Sequence, residues 1–238
     1  MKSLLLGTAA LAMTASFAMA DVVRMGTEGA YPPYNFLNDA GEVDGFEREL
    51  GDELCKRAEL TCEWVTNDWD SIIPNLVSGN YDTIMAGMSI TAERDEVIDF
   101  TTNYIRSDPS AYAGLSEGME ISGAVIAAQA STIQAAHISS LDATLVEFAT
   151  PEESMAAVRN GEADMVLADK SYLEPFVSED ADLYWSAEDV VLGEGIGLGL
   201  RESDGELKEK FNVAIQSMKD DGTLNALIEK WLPGAQLF

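Results

Sequence analysis

Apolar and polar positions along this chain alternate between the spacing of a strand and the spacing of a helix. Phe46, Leu50 and Leu54 recur at helical spacing, and the segments on either side have the β-branched and apolar character of strands. The predicted strands are residues 22–28, 61–66, 81–88, 124–129 and 163–168, and the predicted helices are 46–58, 72–77, 154–159, 207–218 and 224–231. This alternation predicts an α/β fold in which helices cover parallel sheets.

A short internal repeat indicates two similar units. Residues 76–86 read LVSGNYDTIMA and residues 158–168 read VRNGEADMVLA, with a Gly, an Asp and an apolar strand at the same offsets. If this repeat is structural, the chain contains two α/β lobes. Ligands of such sheets bind beyond the carboxyl ends of the strands, here residues 87–89 and 169–171. We therefore expect a cleft that both segments line.

The amino terminus has the three parts of a secretory signal peptide. Lys2 provides positive charge, residues 4–17 are apolar or small, and residues 18–20 read AMA, a small-residue cleavage site. We predict that residues 1–20 are removed and that the mature protein lies outside the cytoplasm; the alternative is a buried N-terminal helix. No other segment approaches the ~18 consecutive apolar residues that a membrane span needs.

Charge and cysteine content narrow the function classes. The chain has a formal net charge of -28 at pH 7, which argues against nucleic acid as a partner because nucleic acid needs clustered Lys and Arg. Cys55 and Cys62 predict a disulfide in an oxidising compartment, with two reduced thiols as the alternative. His137 is the only histidine, so we expect no zinc site, and no other metal or cofactor.

Six motifs carry a family resemblance. They are GTEGAYPPYNF (26–36), GFE (45–47), NDWDSIIPNL (67–76), AGMSITAER (86–94), IDFT (98–101) and DDGTLNALIEKWL (220–232). With them the chain resembles the polar amino-acid family of periplasmic solute-binding proteins, densely in residues 22–104 and 193–232 and more weakly in 107–192. The cysteine pair is similar to that of the subgroup that binds lysine, arginine, ornithine and histidine, and to that of the opine binders.

The resemblance implies the type II periplasmic binding protein fold, in which two Rossmann-like lobes joined by two crossover strands close around a ligand. Lobe 1 would be discontinuous, with residues 21–106 and 194–238, and lobe 2 would span residues 107–193. The crossovers would lie near 105–108 and 191–194. The implied function is that of a monomeric receptor without enzymatic activity. It would deliver a free amino acid to an ABC permease in the inner membrane by transient docking.

The motif AGMSITAER supplies the contacts that the resemblance implies for the first lobe. Arg94 matches the family's arginine, whose planar guanidinium suits the ligand α-carboxylate. Ser89 matches a contact through backbone and hydroxyl, and Gly87 would offer its carbonyl to the α-ammonium. Met88, between them, is included in the expected ligand-binding set.

The second lobe would contribute the turn QAST at 129–132 and one strand end. Thr132 would donate its backbone N–H and hydroxyl to the carboxylate, and Ser131 belongs to the same turn. Asp169 matches the acid that pairs with the α-ammonium. The sequence departs from the family in having Ala130 where glycine is usual. It also lacks a short segment that normally precedes the strand predicted at 124–129.

The first lobe would also contribute residues that meet the ligand side chain, although the second lobe would contribute much of the specificity. Tyr31 and Trp69 match aromatic wall positions, while Tyr34 is either a third wall or part of the core. Glu28, at the end of the first strand, matches the acid that meets the distal charge of a cationic ligand, although the usual residue is the shorter Asp. The sequence therefore predicts arginine, lysine or ornithine as the ligand.

Several alternatives stay open at this point. An opine, a methylated amino acid or a neutral polar amino acid could occupy the same cleft, because Glu28 could accept hydrogen bonds from an amide and Gly87 leaves room. A periplasmic enzyme resembling cyclohexadienyl dehydratase would need an acid–base pair near a reacting carbon, and the sequence reveals no separate pair. A further alternative is the sensing domain of a larger receptor, but the sequence offers no membrane segment that would support it.

Overall fold

The structure is a computed structural model that describes residues 22–106 and 108–238, so the predicted signal peptide lies outside the described residues. Its strands are β1 (Val23–Thr27), β2 (Ala30–Tyr31), β3 (Asn35–Leu37), β4 (Val43–Asp44), β5 (Cys62–Thr66), β6 (Thr83–Ile84), β7 (Asp99–Phe100), β8 (Ser110–Gly114), β9 (Val125–Gln129), β10 (Thr144–Phe148), β11 (Met165–Asp169), β12 (Tyr184–Trp185) and β13 (Gly199–Leu200). Its helices are α1 (Phe46–Arg57), α2 (Ile72–Val77), α3 (Ala92–Asp95), α4 (Ile133–Ser139), α5 (Pro151–Arg159), α6 (Lys170–Glu179), α7 (Gly205–Asp220) and α8 (Thr223–Trp231).

Two five-stranded sheets with the same strand arrangement form the framework. Their strand orders are β5-β1-β6-β13-β7 and β10-β9-β11-β8-β12. In each sheet the first three strands pair in parallel and the remaining pairings are antiparallel. Strands β2, β3 and β4 form a separate antiparallel sheet. This architecture is the α/β class that the alternation of strands and helices predicts.

Helices cover both faces of the first sheet. Ile84 and Met85 are consecutive, and their side chains enter opposite apolar clusters because neighbouring side chains of an extended chain point to opposite faces. Met85 packs in the cluster that contains Leu50 of α1 and Phe211 of α7, and Ile84 in the cluster that contains Leu76 of α2. Within the described part of the chain, no helix has both the length and the apolar character needed to cross a bilayer.

The internal repeat corresponds to the same local structure in both sheets. The glycine in each copy adopts a left-handed φ, of 80° and 73°, which ends the preceding helix. Asp82 then accepts the backbone N–H of Arg24 in β1 at 3.0 Å, and Asp164 accepts that of Val125 in β9 at 2.8 Å. Each aspartate thus ties the start of its strand to the middle one of the three parallel strands of its sheet, which confirms the predicted repeat.

Three sequence expectations differ from the structure in detail. The strand predicted over 81–88 is only β6, because Gly87 takes a left-handed φ of 62° and the chain turns there. The helix predicted from residue 154 begins at Pro151, where Thr150 and Glu153 form a reciprocal capping box. The helix predicted from residue 224 begins at Thr223, with Gly222 at the cap position, and the Thr223 hydroxyl accepts from Arg57.

The chain passes between the two sheets twice, between β7 and β8 and between β12 and β13. The two passages run antiparallel, with isolated bridges between Ile105 and Ile196 and between Ser110 and Val190. The lobe boundaries predicted from the resemblance fall within these passages. Elsewhere, a disulfide joins Cys55 at the end of α1 to Cys62 at the start of β5, with a Cα–Cα distance of 6.2 Å, as the cysteine count predicts.

The carboxylate of Asp82 has a stabilising role that its counterpart Asp164 lacks. Asp82 accepts two hydrogen bonds from the Arg24 side chain, at 2.9 and 3.0 Å, and one from Arg201 at 3.1 Å. Burial alone would raise the pKa of Asp82, but these guanidinium groups lower it to about 2. We predict that Asp82→Asn lowers the free energy of unfolding at pH 7 by about 1–2 kcal/mol.

This contribution is present above the unfolded-state pKa of about 4 and is lost as the pH falls through about 2, because the native carboxylate then takes up a proton. Urea unfolding between pH 2 and pH 7 would measure it. Asp164→Asn is the matched control: the aspartate accepts a backbone N–H but pairs with no Arg or Lys among the described residues, so we expect a smaller loss. Equal losses for the two variants would contradict the prediction.

Candidate functional site

A cavity lies where the carboxyl ends of parallel strands from both sheets face each other. In the first sheet β1 leads to Glu28 and β6 to Gly87, and in the second β9 and β11 end at Gln129 and Asp169. The cavity contains about 330 Å³ of empty space, counting the part that opens to solvent. It is lined by Glu28, Tyr31, Trp69, Ala86, Gly87, Ser89, Arg94, Gln129, Thr132, Ile133, Gln134 and Asp169.

Arg94 brings a positive charge to this cavity from the first turn of α3, which the Thr91 hydroxyl caps. Its guanidinium donates to the carbonyl of Ser89 at 2.9 Å and lies over the Trp69 ring, 5.4 Å from the centroid. Burial lowers the pKa of Arg94 to about 10, and the charge of Asp169 opposes that shift. No ion pair within the described residues uses this guanidinium, so it is available to a ligand anion.

Asp169 brings a negative charge to the same cavity from the end of β11. Its Oδ2 accepts the Tyr31 hydroxyl at 3.0 Å, and its Oδ1 accepts the Gln134 amide at 2.8 Å. Burial, together with the charge of Asp108, raises the pKa of Asp169 to about 7, whereas Tyr31, Arg94 and Gln134 limit the rise. In the described part of the chain it has no Lys or Arg partner, so the acid can accept a ligand cation.

Glu28 is a second acid of the lining, on the first sheet. Its Oε1 accepts the Gln129 amide of the second sheet at 2.6 Å, and the same amide donates to the Ala149 carbonyl at 3.1 Å. Burial raises the pKa of Glu28 to about 7, the Gln129 hydrogen bond lowers it, and the charge of Asp68 adds to the rise. Glu28, like Asp169, pairs with no Lys or Arg of residues 22–106 and 108–238.

Aromatic rings form two walls of the cavity. Tyr31 stacks almost flat on Tyr172, with ring centroids 4.4 Å apart, and Trp69 donates its indole N–H to the Ser131 carbonyl at 3.3 Å. Both contacts join residues that precede β8 in the chain to residues that follow it. Tyr34 is fully buried and donates to Asp108 at 2.9 Å, so it belongs to the interior and not to the cavity wall.

The QAST turn contributes to the site differently from the expectation. The Thr132 hydroxyl donates to the Gln129 carbonyl at 2.7 Å and accepts the Ala135 N–H at 3.1 Å, so its proton is already used. Its backbone N–H remains without a hydrogen-bond partner in the described residues. Ser131, not Ala130, takes the left-handed φ of 60°, and this explains why alanine is accepted where glycine is usual.

Eight of the ten predicted site residues line the cavity, and Met88 and Ser131 do not. The Met88 side chain is fully buried in the α2 cluster, on the opposite side of the chain from the next residue, Ser89, which lines the cavity. Ser131 is exposed and offers its carbonyl to Trp69 and Arg94 instead of to the cavity.

Sequence reasoning assigned no role to four further lining residues. They are Ala86, Gln129, Ile133 and Gln134. The position of Gln129 at the carboxyl end of a predicted strand was a usable signal, because ligand contacts concentrate at such ends. Gln134 had no comparable signal, since its contact with Asp169 spans 35 residues.

Comparison with known proteins relates this architecture to a family. The sequence profile of the bacterial extracellular solute-binding proteins, family 3, matches residues 23–234. An L-arginine-binding protein of Pseudomonas aeruginosa is 30% identical over 97% of this chain and 96% of its own length. The lysine/arginine/ornithine-binding periplasmic protein of Escherichia coli is 29% identical over 96% of this chain and 94% of its own.

Solved structures agree with this relationship. A periplasmic His/Glu/Gln/Arg/opine family-binding protein from Silicibacter pomeroyi, crystallised in complex with lysine, is 69% identical, has a TM-score of 0.89 and covers 91% of this chain and all of its own. An ancestral arginine-binding protein bound to glutamine is 28% identical, with a TM-score of 0.82, over 90% of this chain and 99% of its own.

These neighbours confirm the fold class predicted from the sequence, the α/β fold of type II periplasmic binding proteins. The profile match extends from the first residue of β1 to beyond α8, so it includes both sheets and every element that lines the cavity. The chain belongs to the bacterial extracellular solute-binding proteins of family 3.

Proposed function

We propose that this protein is the receptor of an ABC importer and binds a free amino acid with a cationic side chain between its two lobes. The observation that carries the proposal is the charge of the cavity. Among the described residues, the charged side chains of the lining are two acids, Glu28 and Asp169, and one cation, Arg94. None of the three forms an ion pair with another described residue. The ionised lining therefore carries one net negative charge, which arginine, lysine or ornithine would neutralise.

Each group of such a ligand has a counterpart. Arg94 takes the α-carboxylate, assisted by Ser89 and by the free backbone N–H of Thr132. Asp169 and the Gly87 carbonyl take the α-ammonium. Glu28 takes the distal cation, and the aliphatic part of the ligand side chain lies between the rings of Tyr31 and Trp69. These residues together form the proposed binding set.

The names of the relatives support this ligand class. They include binding proteins for arginine, for lysine, arginine and ornithine, and for octopine. The crystallised relative from Silicibacter pomeroyi holds lysine. The cellular assignments belong to the same proposal: a signal peptide at 1–20, a periplasmic monomer with lobes 21–106 plus 194–238 and 107–193, and transient docking to an inner-membrane permease.

A neutral polar amino acid is the second candidate. The Gln129 amide already bonds to Glu28, so this acid accepts hydrogen bonds from an uncharged amide, and an ancestral relative binds glutamine.

The raised pKa values of Glu28 and Asp169 would also suit acid–base catalysis. Turnover of prephenate or arogenate would identify an enzyme, whereas the relatives compared are binding proteins.

The first prediction concerns the ligand class. We expect lysine, arginine or ornithine to bind more tightly than glutamine, glutamate or octopine in isothermal titration calorimetry, because only a cationic side chain neutralises the cavity. Lysine methyl ester and Nα-acetyl-lysine are controls that remove the carboxylate charge and the α-ammonium, and both should bind weakly. A tighter complex with glutamine, glutamate or octopine than with every cationic ligand would make the assignment wrong.

The second prediction concerns Arg94. We expect Arg94→Ala to weaken binding of every α-amino acid at least about 30-fold, because it removes one partner of a desolvated charge pair. Arg94→Lys should be intermediate, since it keeps the charge but loses the planar fork. The control is Arg48→Ala, an arginine outside the cavity whose guanidinium pairs with Asp52. Calorimetric affinities of Arg94→Ala equal to those of the control would remove Arg94 from the site.

The third prediction concerns pH. The pKa values of Glu28 and Asp169 are raised to about 7, so each acid is partly protonated at neutral pH. A bound cation favours the ionised form, and binding should therefore release protons near pH 7. We expect the affinity for lysine to rise as the pH increases from 5.5 to 8.5.

Glu28→Gln separates the two acids. This variant should bind lysine at least about tenfold more weakly at pH 8, and the rise of its affinity with pH should be shallower because only Asp169 still titrates. Its affinity for glutamine should change less than its affinity for lysine. Calorimetry in buffers of different ionisation enthalpy counts the released protons, and an unchanged proton count in Glu28→Gln would exclude Glu28 from cation binding.

A further inference from the structure

A carboxylate that the proposed function does not use lies buried next to the cavity. Glu47 is fully buried and forms no ion pair among the described residues. Its Oε1 accepts the backbone N–H of Gly87 at 2.7 Å and the Tyr104 hydroxyl, and its Oε2 accepts the Asn35 amide at 2.7 Å. The carboxylate therefore has hydrogen bonds on both oxygens and no cation.

The sequence GFE at 45–47 explains how this acid enters the interior. Gly45 has a φ of 114°, and a Cβ there would lie 2.7 Å from the Tyr34 carbonyl oxygen, so only glycine lets the start of α1 approach this segment. The N–H groups of Phe46 and Glu47 donate to the carbonyls of Pro33 and Tyr34 at 2.9 and 2.8 Å. The first turn of α1 is thus fixed with Glu47 inside.

Asn35 extends the hydrogen bonds of Glu47 to the chain segment that carries Glu28. While its Nδ2 donates to Glu47, its Oδ1 accepts the backbone N–H of Gly29 at 2.8 Å. Gly29 directly follows Glu28, and Gly87 itself lines the cavity. One continuous path, Gly29 to Asn35 to Glu47 to Gly87, therefore connects the two backbone segments that face a ligand in the first lobe.

We propose that Glu47 and Asn35 are positioning residues that fix the spacing between Glu28 and the Gly87 carbonyl, and thereby the length of ligand side chain that the site prefers. The inference rests on the proposed function for the roles of Glu28 and Gly87. A fully bonded buried network is rigid. Shifts of about 1 Å at a site change binding and reactivity strongly, so the spacing of two ligand-facing groups controls selectivity.

The pattern of donors and acceptors allows a direct test. Glu47→Gln places an amide N–H against the Asn35 amide, and if Asn35 flips to accept it, the Gly29 bond is lost. Asn35→Asp places two carboxylates against each other. The double variant Asn35→Asp, Glu47→Gln restores complementarity, because the new aspartate accepts from both Gly29 and the new glutamine. A double-mutant cycle therefore isolates the link between the two residues.

The experiment measures calorimetric affinities for lysine and ornithine, and hydrogen exchange of the Gly29 and Gly87 amides in the ligand-free protein. We expect each single variant to bind lysine about tenfold more weakly, to shift the lysine-to-ornithine affinity ratio about threefold, and to exchange one of the two amides faster. The double variant should return to within about threefold of the wild type. Asp82→Asn, destabilised at the opposite end of the sheet, controls for lost stability and should keep the wild-type ratio.

Two results would overturn the inference. The first is that the single variants have lower melting temperatures but keep the wild-type lysine-to-ornithine affinity ratio, as expected for Asp82→Asn. The other is a double variant that is no better than the weaker single variant. If the wild type prefers glutamine, the proposed cationic class fails, and the same four proteins measured with glutamine and asparagine decide the positioning role separately.

Discussion

The hydrogen bond between Tyr31 and Asp169 is the contact on which the rest of the site depends. Asp169 is buried, and a buried carboxylate costs several kcal/mol unless hydrogen bonds and charge compensate it. Tyr31 of β2 and Gln134 of α4 supply the hydrogen bonds, but the charge has no ion-pair partner among the described residues. Because Tyr31 reaches Asp169 from across the cavity, both hydrogen bonds form only when the two sides of the cavity are close. An ammonium in the cavity would strengthen that dependence, so the proposed function implies that ligand binding would be coupled to lobe approach through one carboxylate.

The other contacts across the cavity follow the same principle. Glu28 meets the neutral Gln129 amide, and Arg94 meets the neutral Ser131 carbonyl. Charged groups on one side of the cavity thus face uncharged dipoles on the other side, which hold them in place without neutralising them. A ligand adds the full opposite charge that these dipoles lack, and hydrogen bonds between charged partners are the stronger ones. The cavity is therefore prepared for a zwitterion and not closed by its own ion pairs.

Much of the framework could be predicted from local sequence signals, and what could not depends on distant pairing. The repeated Gly and Asp predict the same helix–strand corner in both sheets because, in both copies, the glycine follows a helix and the aspartate directly precedes a strand. Thr150 and Glu153 are also a local signal, a capping box that sets the start of α5 three residues before the apolar pattern does. By contrast, β7 and β13 have two residues each and no periodicity, so their existence follows only from pairing with each other and with β6.

In the site, the motifs identify which chain segments face the ligand but not which side chains do. The motif AGMSITAER locates the ligand-facing segment, but the side of the backbone on which each residue lies is set by the turn at Gly87. That turn directs Ser89 into the cavity and Met88 into the core. The motif GFE shows the converse, because Glu47 is part of the resemblance and does not line the cavity, although it bonds to a residue that does. A shared motif can therefore preserve the backbone around a ligand as well as the contacts to it. For this reason a change at the buried Glu47 can alter selectivity without removing any group from the cavity wall.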